Sequence, residues 1–95
     1  MEIKEISEII PTGRDNTVSA RTLGSMYDIG TREITKAIEL GRQSGDLPAC
    51  ADADGYYLAE NKKEMEEYRR RLKRRILHLI KTYRGLEKAE KNLPD

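Results

Sequence analysis

From about residue 62 to residue 92 the chain has no proline. An unbroken helix of that length spans roughly 45 Å. Asn61 opens it as a capping residue, with Glu64 three positions later. Met65, Tyr68, Leu72, Ile76, Leu79, Tyr83 and Leu86 recur at gaps of three and four, close to a heptad seam, and Leu77 and Ile80 widen the stripe. Residues 1–60 precede this rod, and a domain of that size has a radius of gyration of only about 10 Å. Met65, Tyr68 and Leu72 can lie against it, but the stretch from Ile76 to Leu86 is expected to project. A bare apolar stripe is a liability in a monomer, and its simplest cover is the same helix of a second chain in a two-fold dimer. The expected homodimer interface is therefore Leu72, Ile76, Leu79, Ile80, Tyr83 and Leu86, with parallel and antiparallel pairing both open. Gly85 is the weak point of the helix, costing about 1 kcal/mol relative to alanine.

Charge divides at the same boundary. The formal net charge is +1. Residues 1–60 hold 6 basic and 11 acidic side chains, whereas residues 61–95 hold 12 basic and 6 acidic ones. An acidic head is thus joined to a basic tail. The densest cation run, "RRRLKRR" (69–75), has only Leu72 squarely on the seam. Three readings are open for this collar: a solvated coat, contact with DNA phosphates, or contact with an acidic surface such as the partner's head. Glu66–Arg70, Glu67–Arg71 and Glu87–Lys91 stand at the i,i+4 spacing that favours helical ion pairs.

Ahead of the tail, Ile3, Ile6, Ile9 and Ile10 give helical spacing that Pro11 stops, so a first helix is expected over about 2–10. "PTGRDNT" (11–17) is turn chemistry. Val18 reads as a short strand, and Ser19 caps a second helix over 20–27 with Leu23 and Tyr27 on one face. "DIG" breaks it. A third helix, 31–44, carries Ile34, Ala37, Ile38 and Gly41 on its inner face, with Glu33 spaced to cap back onto Gly30. "ACADADGYYLAE" reads as a hairpin with Asp54-Gly55 at its tight turn. The expected class is mainly α with a small β-hairpin: a winged helix-turn-helix domain over residues 1–60, then a long C-terminal dimerisation helix over 61–95.

The segment "TLGSMYDIGTREITKAI" (22–38) carries the main functional signal. Leu23 and Gly24 supply the large and small residues early in the first helix. Tyr27 and Ile29 flank the turn, and Ile34, Ala37 and Ile38 supply the inner contacts of the second helix. Such spacing crosses two helices steeply, so that the second can enter a DNA major groove. With the hairpin "GDLPACADADGYYLAE", this stretch resembles the winged helix-turn-helix of the biotin-operon repressor type. "ISEIIPTGRDNTVSARTL" ahead of it is similar to small winged-helix proteins of phages and prophages of Gram-positive bacteria. The resemblance covers roughly residues 3–60; the biotin-binding catalytic domain has no counterpart, and ligase activity is not carried over.

The resemblance implies sequence-specific binding of double-stranded DNA, in transcription regulation or as a DNA-replication accessory. It makes the second helix the reader, with Thr31, Arg32, Thr35 and Lys36 toward the groove and Glu39 at its edge. Arg32 has the donor fork to grip guanine bidentately. Arg14, Arg21 and Arg42 are placed to hold the flanking backbone, and Arg69, Arg70, Lys73 and Arg74 of the collar to reach phosphates. Two positions depart from the pattern. Asp28 stands where a turn glycine is usual, though Asp tolerates a left-handed backbone. The hairpin tip "ADADG" is acidic where the family often carries a basic residue, so this wing is expected to stay off the phosphates. The acidic head also leaves a rival reading, a protein-interaction module that keeps the winged fold without strong DNA affinity and meets an unknown protein partner.

No enzyme chemistry is legible. His78 and Cys50 are each the only residue of their kind, which falls short of a zinc set. Asp52 and Asp54 do not continue into a calcium-loop pattern, and no cofactor is expected. A lone cysteine and an N-terminus without a basic, apolar signal point to the cytoplasm, without membrane contact.

Overall fold

The computed structural model describes residues 1–95. Its order is α1 (Ile3–Ile9), α2 (Ala20–Tyr27), α3 (Thr31–Ser44), β1 (Ala49–Asp52), β2 (Gly55–Leu58) and α4 (Lys62–Glu90), with a 3-10 turn at Arg14–Asn16. It is mainly helical, with a two-stranded antiparallel hairpin and a long C-terminal helix.

Each helix end has a local cause. The Ser19 side chain accepts from Thr22 N–H at 3.1 Å and starts α2. Asp28 then turns left-handed (φ 53°, ψ 48°) and stops it. Gly45 ends α3 in the same left-handed region, at φ 84°. The Asn61 side chain accepts from Glu64 N–H at 2.9 Å, which fixes the start of α4. Gly30 caps α3 without help from Glu33, whose carboxylate instead lies 3.3 Å from the Met1 amine.

The head closes around Ile6, Ile10, Leu23, Ile34, Ala37, Ile38, Leu47 and Ala49, all buried. These come from α1 and its capping residue Ile10, α2, α3, the loop residue Leu47 and the start of the hairpin, so the sheet edge and three helices share one small core. Val18 forms a single antiparallel bridge to Tyr56 rather than a strand, and Thr12 bridges Leu58. The hairpin turn consists of Ala53 and Asp54, one residue earlier than the Asp-Gly signal implies, because Asp52 pairs with Gly55. The Asp52 carboxylate accepts from Asp54 N–H at 2.8 Å and holds that turn. Gly55 belongs to β2, at φ 144°, and a side chain there would run into the Val18 backbone.

Only the first turns of α4 touch the head. Cys50, Tyr57 and Tyr68 form a second buried cluster, flanked by Ala51, Ala59, Met65 and Leu72. Beyond Leu72 the helix runs on uncovered. The radius of gyration is 16.9 Å and the long axis is 52 Å, against about 12 Å for a compact chain of this length. Ile76 is 48%, Leu79 56%, Ile80 42%, Tyr83 66% and Leu86 64% exposed, so the apolar stripe does project. None of the three spaced Glu–basic pairs forms an ion pair; the two present are Met1–Glu33 and Arg42–Glu39. No helix is long and apolar enough to cross a membrane.

Candidate nucleic-acid interface

The junction of α2 and α3 is set by one missing side chain. A Cβ on Gly24 would lie 2.5 Å from the Ile29 carbonyl oxygen, so only hydrogen fits. The Gly24 carbonyl accepts from Ile29 N–H at 2.9 Å, which draws the turn back onto α2. Leu23 is buried and Ile29 packs at the edge of the core. Tyr27 departs from the expected role of an anchor before the turn: it is 46% exposed and stands outside the core. The left-handed residue at Asp28 ends α2 as soon as Gly24 and Ile29 meet, leaving Tyr27 on the outer side. Gly24→Ala is expected to lower the unfolding free energy by about 1–3 kcal/mol, since backbone must move to admit the methyl. A urea titration followed by circular dichroism measures it.

This junction presents α3 with Ile34, Ala37, Ile38 and Gly41 inward, and Thr31, Arg32, Thr35, Lys36 and Glu39 on the exposed side. Arg32 and Lys36 have no acidic partner within ion-pair distance. The Thr35 hydroxyl donates to the Thr31 carbonyl at 2.9 Å, leaving its oxygen to accept. Glu39 accepts from Gln43 at 3.2 Å and lies 3.9 Å from Arg42. Arg14, in the 3-10 turn, and Arg21, in the first turn of α2, are also exposed.

Arg42 takes a different course. It is half-buried, donates to the Tyr68 hydroxyl and stacks its guanidinium 5.4 Å from the centre of that ring. It is thus occupied in joining α3 to α4 rather than directed to the flanking backbone. Arg71 stacks over the same ring at 5.4 Å and donates to the Tyr57 hydroxyl at 2.9 Å. This attachment draws Arg71 away from Glu67. Tyr68 therefore lies between two guanidiniums, one from the head and one from its own helix. Burial pushes the Cys50 thiol and the Tyr57 phenol above their ordinary pKa values, so both stay neutral beside these cations.

The collar divides accordingly. Arg71 is turned inward and Arg69, Arg70, Lys73 and Arg74 are exposed. Arg69 and Arg75 border a groove with Glu39, Arg42 and Gln43 of α3, which brings one side of the collar next to the last turns of α3. Arg69, Arg70 and Lys73 line a hollow on another side of α4. Leu72 packs at the edge of the intramolecular cluster, so it closes the joint as well as opening the projecting seam. At the hairpin tip, Asp52 is engaged with Asp54 and Thr17, leaving Asp54 as the exposed carboxylate.

The periodicity of single elements could not reveal the tyrosine–arginine joint. Its partners are 26 and 14 residues apart, and only a tyrosine followed three residues later by arginine on one helical face hinted at it. No three His, Cys, Asp or Glu side chains come together in a metal-binding group. Cys50 is fully buried and His78 lies exposed on α4. No protein-family model, curated protein or solved structure matches the chain.

Proposed function

We propose that this chain is a non-catalytic, homodimeric protein that binds double-stranded DNA in a sequence-specific manner. Its head is read as a winged helix-turn-helix, α3 as the recognition helix and α4 as the dimerisation helix. The observation that carries this reading is the outer face of α3. A junction too tight for any side chain at Gly24 seats the helix, and the exposed side holds Arg32 and Lys36 with no acid paired to either. An arginine with a free donor fork beside two threonines suits base edges. Arg14, Arg21, Arg70 and Arg74 are read as phosphate contacts, and the setting is transcription regulation or DNA replication.

One observation favours a second reading. Residues 1–60 are acidic on balance, and Asp54 stands exposed at the hairpin tip. Both oppose phosphate, as a winged module serving protein assembly would.

A duplex-DNA titration at several salt concentrations separates the two. DNA reading requires binding that weakens steeply with salt. Arg32→Ala should cost about 1–3 kcal/mol at a preferred sequence and relax preference at one base, while Lys36→Ala should weaken all sequences and flatten the salt slope by about one. A dimer with no affinity near physiological salt supports the assembly module instead.

A further inference from the structure

The sequence leaves the direction of the helix pair open; the charges along α4 do not. Met65, Leu72, Leu79 and Leu86 recur every seven residues, and Leu93 continues the series just past the end of the helix. The companion series, four residues after Met65 and after each of Leu72, Leu79 and Leu86, is Arg69, Ile76, Tyr83 and Glu90. In a parallel pair each member of a series meets its own copy. Arg69 would then face the partner's Arg69, and Glu90 the partner's Glu90, putting two like-charge layers into the seam. In an antiparallel pair the two series face each other, and those layers vanish.

Resting on the dimer of the preceding reading, we infer that α4 pairs antiparallel with the α4 of a second copy, about a two-fold axis at the level of Lys81. Ile76 then meets the partner's Leu86, and Leu79 meets the partner's Tyr83. Ile80 meets the partner's Ile80 at the axis. All five of these exposed side chains are covered in this register. Arg69 falls against the partner's Leu93 and Leu72, already packed at its inner edge by the head, against the partner's Glu90, and Lys73 faces the partner's Glu87 once on each side of the axis.

Neighbouring registers do worse. A shift of one heptad toward the head keeps one leucine–charge layer, Leu86 against the partner's Arg69, but replaces the Lys73–Glu87 attraction with repulsion between Glu66 and the partner's Glu87. A shift the other way sends Ile76 past the last helical residue, Glu90.

The surface of α4 fits this occupant. Glu66, Arg69, Arg70, Leu72, Lys73 and Ile76 line a hollow of about 450 Å³. At those levels the antiparallel register brings in the partner's Leu86, the partner's Glu87, the partner's Glu90 and the partner's Leu93. Two carboxylates and two leucines thus enter a site built of three cations, two aliphatic side chains and one carboxylate, so that cations outnumber the lining acid three to one. Arg74 stays on the opposite face by helical spacing, and Arg70 stands at the rim of the hollow. The heads, centred near Tyr68, come to lie about 39 Å apart along the helix axis. That is close to the ~34–36 Å between successive major grooves on one side of a duplex.

Cysteine cross-linking in the full chain tests the register. Ile76→Cys and Leu86→Cys are made separately; Cys50 is fully buried and stays in place. The mixed pair is expected to form a disulfide under mild oxidation. Neither variant should link to itself, because like positions lie about 15 Å apart along the axis, beyond disulfide reach. Self-linking of Ile76→Cys overturns the antiparallel pairing, as does failure of the mixed pair in a sample that sediments as a dimer. A monomer by sedimentation overturns the dimer itself. Charge reversal gives a second readout: Lys73→Glu and Glu87→Lys should each raise the dimer dissociation constant about tenfold at low salt. The double variant should return to within about threefold of the parent, and no recovery refutes the register.

Discussion

A chain carrying Leu79→Asp and Tyr83→Asp is expected to sediment as a monomer at concentrations where the parent is a dimer. Both residues lie on the exposed stripe of α4 and belong to neither buried cluster of the head. Their replacement leaves the head core as it is, so the native denaturation midpoint of the head should hold. In the proposed dimer, each chain loses two large apolar side chains from the seam, at about 1.5–3 kcal/mol apiece. Each also brings two carboxylates into it, where desolvation costs several kcal/mol per unpaired ion. The combined penalty raises the dissociation constant by more than a thousandfold. Released from its cover, the part of α4 beyond Leu72 depends on helix propensity alone, which is marginal for so short a stretch in water. Far-ultraviolet circular dichroism should therefore show lost helix. DNA affinity should fall by about 10²–10⁴, the advantage of two linked heads over one, while the residual binding still responds to Arg32→Ala. An unchanged sedimentation mass would exclude this stripe as the interface.

The elements that were legible in the sequence are those whose ends have a chemical cause within a few residues. Ser19, Asp28, Gly45 and Asn61 each mark a helix end by their own side chain or backbone freedom, and the bounds of α2 and α3 follow. The projecting seam was legible for a different reason. A rod of 29 residues outruns any head of sixty residues, so periodicity and size together decide exposure. The outer face of α3 follows from the inward set Ile34, Ala37, Ile38 and Gly41, since helical spacing leaves Arg32 and Lys36 on the other side.

What escaped involves competition among groups, some of them neighbours and some far apart in the chain. In the sequence Asp52 is one acid of a charged hairpin tip, yet its carboxylate organises the turn, which sits one residue before the Asp-Gly pair. Tyr27 fits an apolar pattern, but the left-handed Asp28 leaves it outside. Glu67–Arg71 has ideal spacing, yet an exposed helical ion pair yields only a few tenths of a kcal/mol. That is too weak to hold Arg71 against a tyrosine hydroxyl and an aromatic face. Arg42 looked like one more backbone-holding cation for the same reason. Nothing local reports that Tyr68 will arrive beside it.

Tyr68→Ala is expected to have the largest effect on the head, because that one ring joins α4 to α3. It is 8% exposed and belongs to the cluster with Cys50 and Tyr57. Truncating a buried aromatic costs about 3–5 kcal/mol, a large share of the ~5–15 kcal/mol that holds a typical domain. Arg42 and Arg71 would also lose the ring that both now face. Two adjacent guanidiniums without it repel each other and loosen the joint further. Tyr68→Phe separates the contributions: it keeps ring and packing and removes only the hydroxyl that accepts from Arg42, for a cost of about 0.5–1.5 kcal/mol. Urea denaturation measures both, and hydrogen exchange at α4 amides shows whether the helix has come away from the head. The consequence for the proposed DNA binding follows from geometry rather than stability. Dimeric reading requires each α3 to be held at a fixed angle to its α4, and Tyr68 is the link that fixes it. Below the denaturation threshold, Tyr68→Ala should keep binding to one half-site while losing preference for two half-sites about one turn apart; Tyr68→Phe should keep both. A Tyr68→Ala protein that still discriminates half-site spacing as the parent does would show that something other than this joint sets the distance between the heads.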